Sequence, residues 1–162
     1  MSLQQKENIN IGLDKADEKE IAEGLVVLLA NSYSLYLRTQ NYHWNLTGSM
    51  FFSLHNLFEE QYTDLASAID SIAERIRALG YKAPATFKEF IDVRTVTETD
   101  DGENQMAKVA NLLKGHEELI SAARKTCAVA EKANDQASAD LITGRLAKHE
   151  MEAWKLRSIA AE

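Results

Sequence analysis

Five side chains in the first half of the chain have the types and spacing to hold a metal ion: His43, His55, Glu59, Asp70 and Glu74. His43 and His55 lie in "NYHWNLTGSMFFSLHNLFEEQ", among aromatic and apolar residues where an unpaired polar group is costly. Glu59 follows His55, and Glu74 follows Asp70, each at the four-residue spacing that stacks side chains on one helix face. At roughly 100° per residue, His55, Glu59, Asp70 and Glu74 fall in a sector about 100° wide, beside the apolar stripe of their helix. Within one chain the two pairs are separated by roughly 22 Å at the rise of an α-helix, too far for one ion. The numbering, however, is symmetric. His55 and Glu74 are equidistant from a point between residues 64 and 65, and so are Glu59 and Asp70. Two copies packed antiparallel about a two-fold axis there would set His55 opposite Glu74 of the partner, and Glu59 opposite the partner's Asp70. Thr63 and Ala66 are small enough to permit close approach. An isologous dimer would thus assemble two identical sites, each shared by both chains. His43 lies across a short connection from His55 and can join the cluster. Two imidazoles and three carboxylates suit Fe(II), Mn(II) or Zn(II), and the absence of thiolate disfavours soft metals. Carboxylates also bridge paired ions and stabilise Fe(III).

The elements that must position these groups are helices. From about Asp17 to Thr39, Ile21, Leu25, Leu28, Leu29, Ser32, Leu35 and Tyr36 recur at helical spacing. Residues 45–49 break the pattern, with Ser49 as the expected N-cap of the next helix. That second helix, about 50–79, carries Phe51, Leu54, Phe58, Tyr62, Leu65, Ile69, Ile72, Ile76 and Leu79, and Gly80 ends it. Pro84 and Thr86 introduce a short helix over Phe87–Ile91. A polar stretch, "VRTVTETDDGEN", precedes a third long helix from about Glu103 to Lys132. Asn134-Asp135 marks a turn before a fourth, ending near Ile159. No strand-like alternation is present. The pattern predicts an all-α four-helix bundle with a short extra helix between the second and third.

Composition bounds the rest. A chain of 162 residues with 45% hydrophobic and 27% charged residues fits one soluble domain with a real core. Residues 1–16 are expected to form a flexible tail and residues 17–162 the bundle. The single cysteine, Cys127, excludes an internal disulfide. Neither a signal peptide nor the roughly 18-residue apolar run of a membrane span is evident, so the expected location is the cytoplasm. A net charge of −7 suits cation attraction and argues against a strongly nucleic-acid-binding surface.

At the metal-binding positions the chain resembles the Dps family of ferritin-like mini-ferritins. "NYHWNLTG", "LHNLFEEQY" and "DSIAERIRALG" match its signature blocks with their spacings preserved. The helical plan carries the resemblance from about residue 17 to 160. It implies a dodecameric hollow shell that oxidises Fe(II) with hydrogen peroxide or oxygen, stores the ferric mineral inside and protects against oxidative damage. It also implies ferroxidase sites at two-fold interfaces formed through residues 50–79. There His43, His55 and Glu59 of one subunit face Asp70 and Glu74 of its mate, which with His43 would be the principal iron ligands. His55 and Glu59 would hold the weaker second ion or its ordered water. Many family members carry aspartate where this chain has Glu59. No Glu-x-x-His motif of the larger ferritins and other di-iron bundles is present. The rival class is a nucleoid-binding protective shell with secondary metal binding. A family DNA-binding tail is basic, whereas residues 1–20 carry three lysines against five acids, so DNA binding should be weak or absent.

Other chemistry-bearing residues admit plainer readings. Trp44 is an aromatic electron source near the iron or an ordinary packing residue. His116 and His149 lack carboxylate geometry and are read as surface or helix-terminus residues. Cys127 is read as a small buried hydrophobe. Asp135 is a helix cap or, with Glu131 and Asp140, part of the acidic three-fold pore that the resemblance implies.

Overall fold

The computed structural model describes residues 3–99 and 104–161. Its helices are α1 (Lys15–Trp44), α2 (Phe51–Ala78), α3 (Phe87–Val93), α4 (Gln105–Lys132) and α5 (Gln136–Ile159). Antiparallel α1 and α2 pack together, α4 packs on α5, and α1 against α4 joins the two pairs. The short α3 lies against α1. Among the described residues the only β pairing is an isolated antiparallel bridge between Gln5 and Tyr81. The all-α bundle with an extra helix in its long connection is therefore the observed fold. Ile21, Leu25 and Leu35 of α1 meet Leu54, Phe58 and Ile72 of α2, Leu112 and Leu119 of α4, and Ile142 and Leu156 of α5 in one buried core.

Helix ends differ from the sequence expectation in ways that matter to the site. Helix α1 runs five residues beyond Thr39, because Tyr42 and His43 in its last turn are buried and continue its inward face. Its turn into α2 spans only residues 45–50. There Gly48 adopts φ +113°, a conformation open to glycine and strained for other residues. Ser49 does not cap α2. Met50 takes the N-cap position without a side-chain bond, and its N–H points to Gln105 Oε1 at 3.4 Å. The expected α4 start at Glu103 lies outside the described residues, and Asn104 caps α4 by accepting from the Ala107 N–H at 3.0 Å. Thr86 and Glu89 form a reciprocal capping box on α3. Ahead of α1, Lys6 N–H and Glu7 N–H donate to the Gly80 carbonyl at 2.8 and 3.1 Å, and Lys82 N–H donates to the Gln4 carbonyl at 2.9 Å. Residues 4–7 thereby lie along the end of α2.

The bundle interior holds a polar layer, which includes two histidines expected from the sequence at the surface or at helix termini. His116 of α4 and His149 of α5 are each 1% exposed, with Nδ1 atoms 2.9 Å apart. His149 Nε2 lies 3.4 Å from Arg145 Nη2, and Arg145 pairs with Asp64 of α2 at 2.6 Å. Beside them Gln61 of α2 donates to buried Glu152 of α5 at 3.0 Å, and Lys148 and Lys155 close over the same carboxylate. Burial opposes the charge on Glu152, but its bonds from Gln61, Lys155 and Lys148 prevail and hold its pKa below the usual value. Together these eight residues link α2, α4 and α5.

Candidate metal centre

The short α1–α2 connection determines the first half of the site. His43, in the last turn of α1, comes beside His55, in the second turn of α2. His43 Nδ1 lies 2.9 Å from the His55 carbonyl, and His55 Nδ1 lies 3.1 Å from the His43 carbonyl. A carbonyl only accepts, so both Nδ1 atoms carry the proton and donate. In each neutral ring Nε2 is then the lone-pair nitrogen, free to bind a cation. This reciprocal pair fixes both tautomers and both ring orientations, as outer-shell bonds do for metal-bound histidines. The rings stack with centroids 3.7 Å apart and planes 19° apart. Phe51 stacks on the other face of His55 at 4.8 Å, and the Tyr62 ring stands edge-on to His43 at 5.2 Å.

Glu59, one turn after His55, completes a three-residue group. Each of His43, His55 and Glu59 offers a ligand atom within 4.8 Å of the other two. The group grades from buried His43 through half-buried His55 to exposed Glu59. Among the described residues no other three His, Cys, Asp or Glu side chains converge so closely. Asp70 and Glu74 do not join them within the chain. They lie exposed further along α2, outside every described salt bridge. Between the pairs, Thr63 and Ala66 are likewise exposed, while Leu65 is buried. The α2 face bearing Glu59, Thr63, Ala66, Asp70 and Glu74 therefore points away from the core along its length.

Other expectations resolve individually. Trp44 is 64% exposed and lines a surface cavity with Tyr33, Leu37, Phe87 and Ile91, so it is not a core residue. Cys127 is buried, its Sγ 3.7 Å from Thr143 Oγ1. Asp135 caps α5 by accepting from the Ser138 N–H at 3.1 Å, and Arg75 grips its two oxygens at 2.7 and 2.8 Å. Burial alone would raise its pKa, but the Arg75 and Ser138 bonds outweigh that and depress it. Its carboxylate is thus committed within the subunit, while Glu131 and Asp140 remain exposed. Sequence reasoning missed three features of the site and its surroundings: the Phe51 stack, the Tyr62 edge contact and the His116–His149 pair. Phe51 and Tyr62 were read as core-stripe residues, and only the fold shows which imidazole each touches.

Residues 22–162 match the ferritin-like domain family. A low-temperature-induced protein of Nostoc sp. is 40% identical over 152 residues, 93% of this chain and 85% of that protein. DNA protection during starvation protein 2 of Bacillus anthracis is 36% identical over 140 residues, 86% of this chain and 96% of that one. The crystal structure of a Dps protein from Vibrio cholerae O1, described as one of the ferritin-like diiron-carboxylate proteins, superposes with a TM-score of 0.87. It is 30% identical, and the match covers 98% of both chains. With the five-helix plan, these likenesses make the chain a member of the ferritin-like family. Within that family it belongs to the Dps mini-ferritins.

Proposed function

We propose that the protein is a ferroxidase and iron store. Two copies pair antiparallel along α2, and twelve subunits close a hollow shell in the cytoplasm. Each two-fold interface then holds two sites, His43, His55 and Glu59 of one subunit facing Asp70 and Glu74 of the other. Iron is the substrate and cargo. The observation that carries the reading is the stacked His43–His55 pair, with both Nδ1 protons committed to carbonyls, both Nε2 lone pairs left for a cation, and Glu59 in the same cluster. Exposure of Asp70 and Glu74 on the side of α2 that also bears Glu59 supports the shared site. Hard carboxylate oxygens tolerate Fe(II) and favour Fe(III), so oxidation of the bound ion is downhill. Two Fe(II) ions at one site supply the two electrons that reduce one peroxide. With a net charge of −7 the shell attracts Fe(II) and repels nucleic acid, so DNA binding is weak or absent.

Complementation tests the shared site. His43→Ala/His55→Ala subunits and Asp70→Ala/Glu74→Ala subunits should each form shells that oxidise Fe(II) slowly. In a co-assembled shell, each mixed interface carries one site with all four deletions and one with its full ligand set. Oxidation should therefore return in the mixture, followed by ferric absorbance and checked by native mass for co-assembly. Mixed shells with no recovered activity would exclude sites divided between subunits in this way.

A further inference from the structure

The turn that brings His43 to His55 has few ties of its own. Ser49 and Met50 give it no side-chain cap, and of residues 45–50 only Leu46 is buried. Among the described residues, one hydrogen bond joins this turn to a part of the fold beyond α1 and α2. The Met50 N–H donates to Gln105 Oε1 at 3.4 Å. Gln105 opens α4 and also packs on the turn. A Cβ at Gly48 would lie 2.9, 3.0 and 3.0 Å from its Cδ, Nε2 and Oε1. A point at nearly equal distance from all three atoms lies over the face of the amide. The Gln105 amide therefore lies flat against the Gly48 backbone, an approach that only glycine allows.

Helix α4 continues the grip along the same face. Lys108 and Asn111 follow Gln105 at three-residue intervals, which bring side chains together on a helix. The Lys108 ammonium sits 4.8 Å from the centre of the Tyr42 ring, and Asn111 Nδ2 donates to Tyr42 Oη at 3.1 Å. Tyr42 immediately precedes His43 and is buried. Helix α4 thus holds the backbone on both sides of His43, at residue 42 and at residues 48–50. That backbone decides where the imidazoles point. Each ring is oriented by the other residue's carbonyl, so a shift of the turn moves both acceptors and redirects both Nε2 atoms. Packing alone does not call for glutamine at 105. Its Nε2 is buried without a partner among the described residues, a cost that methionine or leucine would avoid. Its oxygen, by contrast, satisfies the N–H at the N-cap of α2.

We infer that Gln105 is a positioning residue of the metal centre, holding the α1–α2 turn at the spacing in which His43 and His55 converge. This rests on the ferroxidase reading above. Gln105 acts through the turn, by its bond to Met50 and its seat on Gly48. Removing the amide leaves every ligand in the chain but frees the turn, so an incoming cation must order the two imidazoles itself. Affinity for the ion falls, while the rate at saturating ion, once the ligands are gathered, is kept. Outer-shell partners of metal ligands contribute about 10–100-fold to affinity, and Gln105, one step further out, belongs at the lower end.

The test titrates metal-free assembled shells of wild type, Gln105→Met, Gln105→Asn and Gln105→Glu with Co(II), whose visible bands report its ligand geometry. Fe(II) oxidation rates with peroxide and urea midpoints are measured on the same proteins. Gln105→Met matches the side chain in length and lacks the acceptor, and Gln105→Asn keeps an amide that falls one methylene short. Both should bind Co(II) about tenfold more weakly, with altered bands, and raise the Fe(II) concentration for half-maximal rate by a similar factor. Their limiting rates should stay within about twofold of wild type. Gln105→Glu restores an oxygen at the Met50 N–H and suits the first turn of α4, so it should return Co(II) affinity to within about twofold. Unchanged Co(II) affinity and bands in either Gln105→Met or Gln105→Asn would overturn the inference, even with a lowered urea midpoint, which marks a merely structural residue. Gln105→Glu binding as weakly as those two would overturn it as well. A wild-type shell that neither binds Co(II) nor oxidises Fe(II) would instead overturn the ferroxidase reading, and this role with it.

Discussion

The buried pair of His116 and His149 should make the fold sensitive to mild acid, in a pH window separate from that of the carboxylates. Arginine only donates, so Arg145 Nη2 directs His149 Nε2 to accept, and the proton of His149 resides on Nδ1. His149 then donates to His116 Nδ1 across 2.9 Å, and His116 keeps its proton on Nε2. Among the described residues that buried Nε2 has no partner. Both rings are thus neutral, and a proton added to His116 Nδ1 would replace the hydrogen bond with two opposed N–H groups. Every element around the pair contributes to the balance. Glu152 and Asp64 favour the charged form of His116, whereas burial, first among the causes, and Arg145 and Arg38 oppose it. The outcome is a pKa lowered from 6.5 to about 4. For His149, burial, His116, Arg145 and Lys148 all act in the same lowering direction.

The sign follows from which state binds the proton first. In the unfolded chain His116 protonates near 6.5, and in the folded chain only near 4, so the unfolded state gains protons as pH falls between those values. Stability is at its full value above 6.5 and declines down to about 4. The decline is about 3 kcal/mol for His116 alone, most of it present by pH 4.5. His149 adds to it. Asp135 and Glu152, whose pKa values are depressed, lose their contribution at lower pH, as pH falls through their folded values. Urea unfolding followed by circular dichroism at fixed protein concentration should therefore show wild-type stability falling between pH 6.5 and 4.5. A His116→Gln/His149→Gln variant, which keeps hydrogen-bonding capacity but cannot titrate, should lose at least about 3 kcal/mol less over the same interval. In the wild type, two of the four histidines should show ring C–H resonances that do not titrate above pH 5. Equal pH dependence in wild type and variant would refute the assignment of both tautomers and their burial.

Gly48→Ala should lower stability by about 1–3 kcal/mol, because a side chain is strained at φ +113° and its Cβ would lie 2.9 Å from the Gln105 side chain. The urea midpoint reports this, and Fe(II) oxidation should fall too, since the turn holds His43 beside His55. Asp135→Ala should cost about 3 kcal/mol by removing the α5 cap and leaving the half-buried Arg75 unpaired, while Asp135→Asn should cost less because it keeps an N-cap acceptor. Amide exchange in the first turn of α5 should rise in the alanine variant. A gel-shift titration with linear duplex DNA at physiological salt and neutral pH should show no tight complex.

How much of this was legible in the sequence depends on whether a residue's azimuth could be read from its own helix. Helix α2 has a strong apolar stripe, so the side of it bearing Glu59, Asp70 and Glu74 could be assigned before any fold was known, and those residues are exposed on it. The approach of His43 to His55 was legible because the connection is short. Its geometry was not, since a position at the end of the first helix leaves the direction of the His43 ring unassigned. Only a helix continuing to Trp44 directs its imidazole inward, where Nδ1 reaches the His55 carbonyl. His116 and His149 were opaque for a different reason. They are 33 residues apart on α4 and α5, and the polar groups that accommodate them, Arg145, Asp64, Gln61 and Glu152, come from two helices. Read one helix at a time, each of these residues looks like part of a solvated face, because charged neighbours flank it in sequence. What makes them interior is the rotation at which α5 packs on α4 and α2, which places Arg145 over Asp64 and His149 over His116 together. Leu119, Ile142 and Leu156 of α4 and α5 are buried in the common core, so the polar pair sits within an otherwise apolar interior.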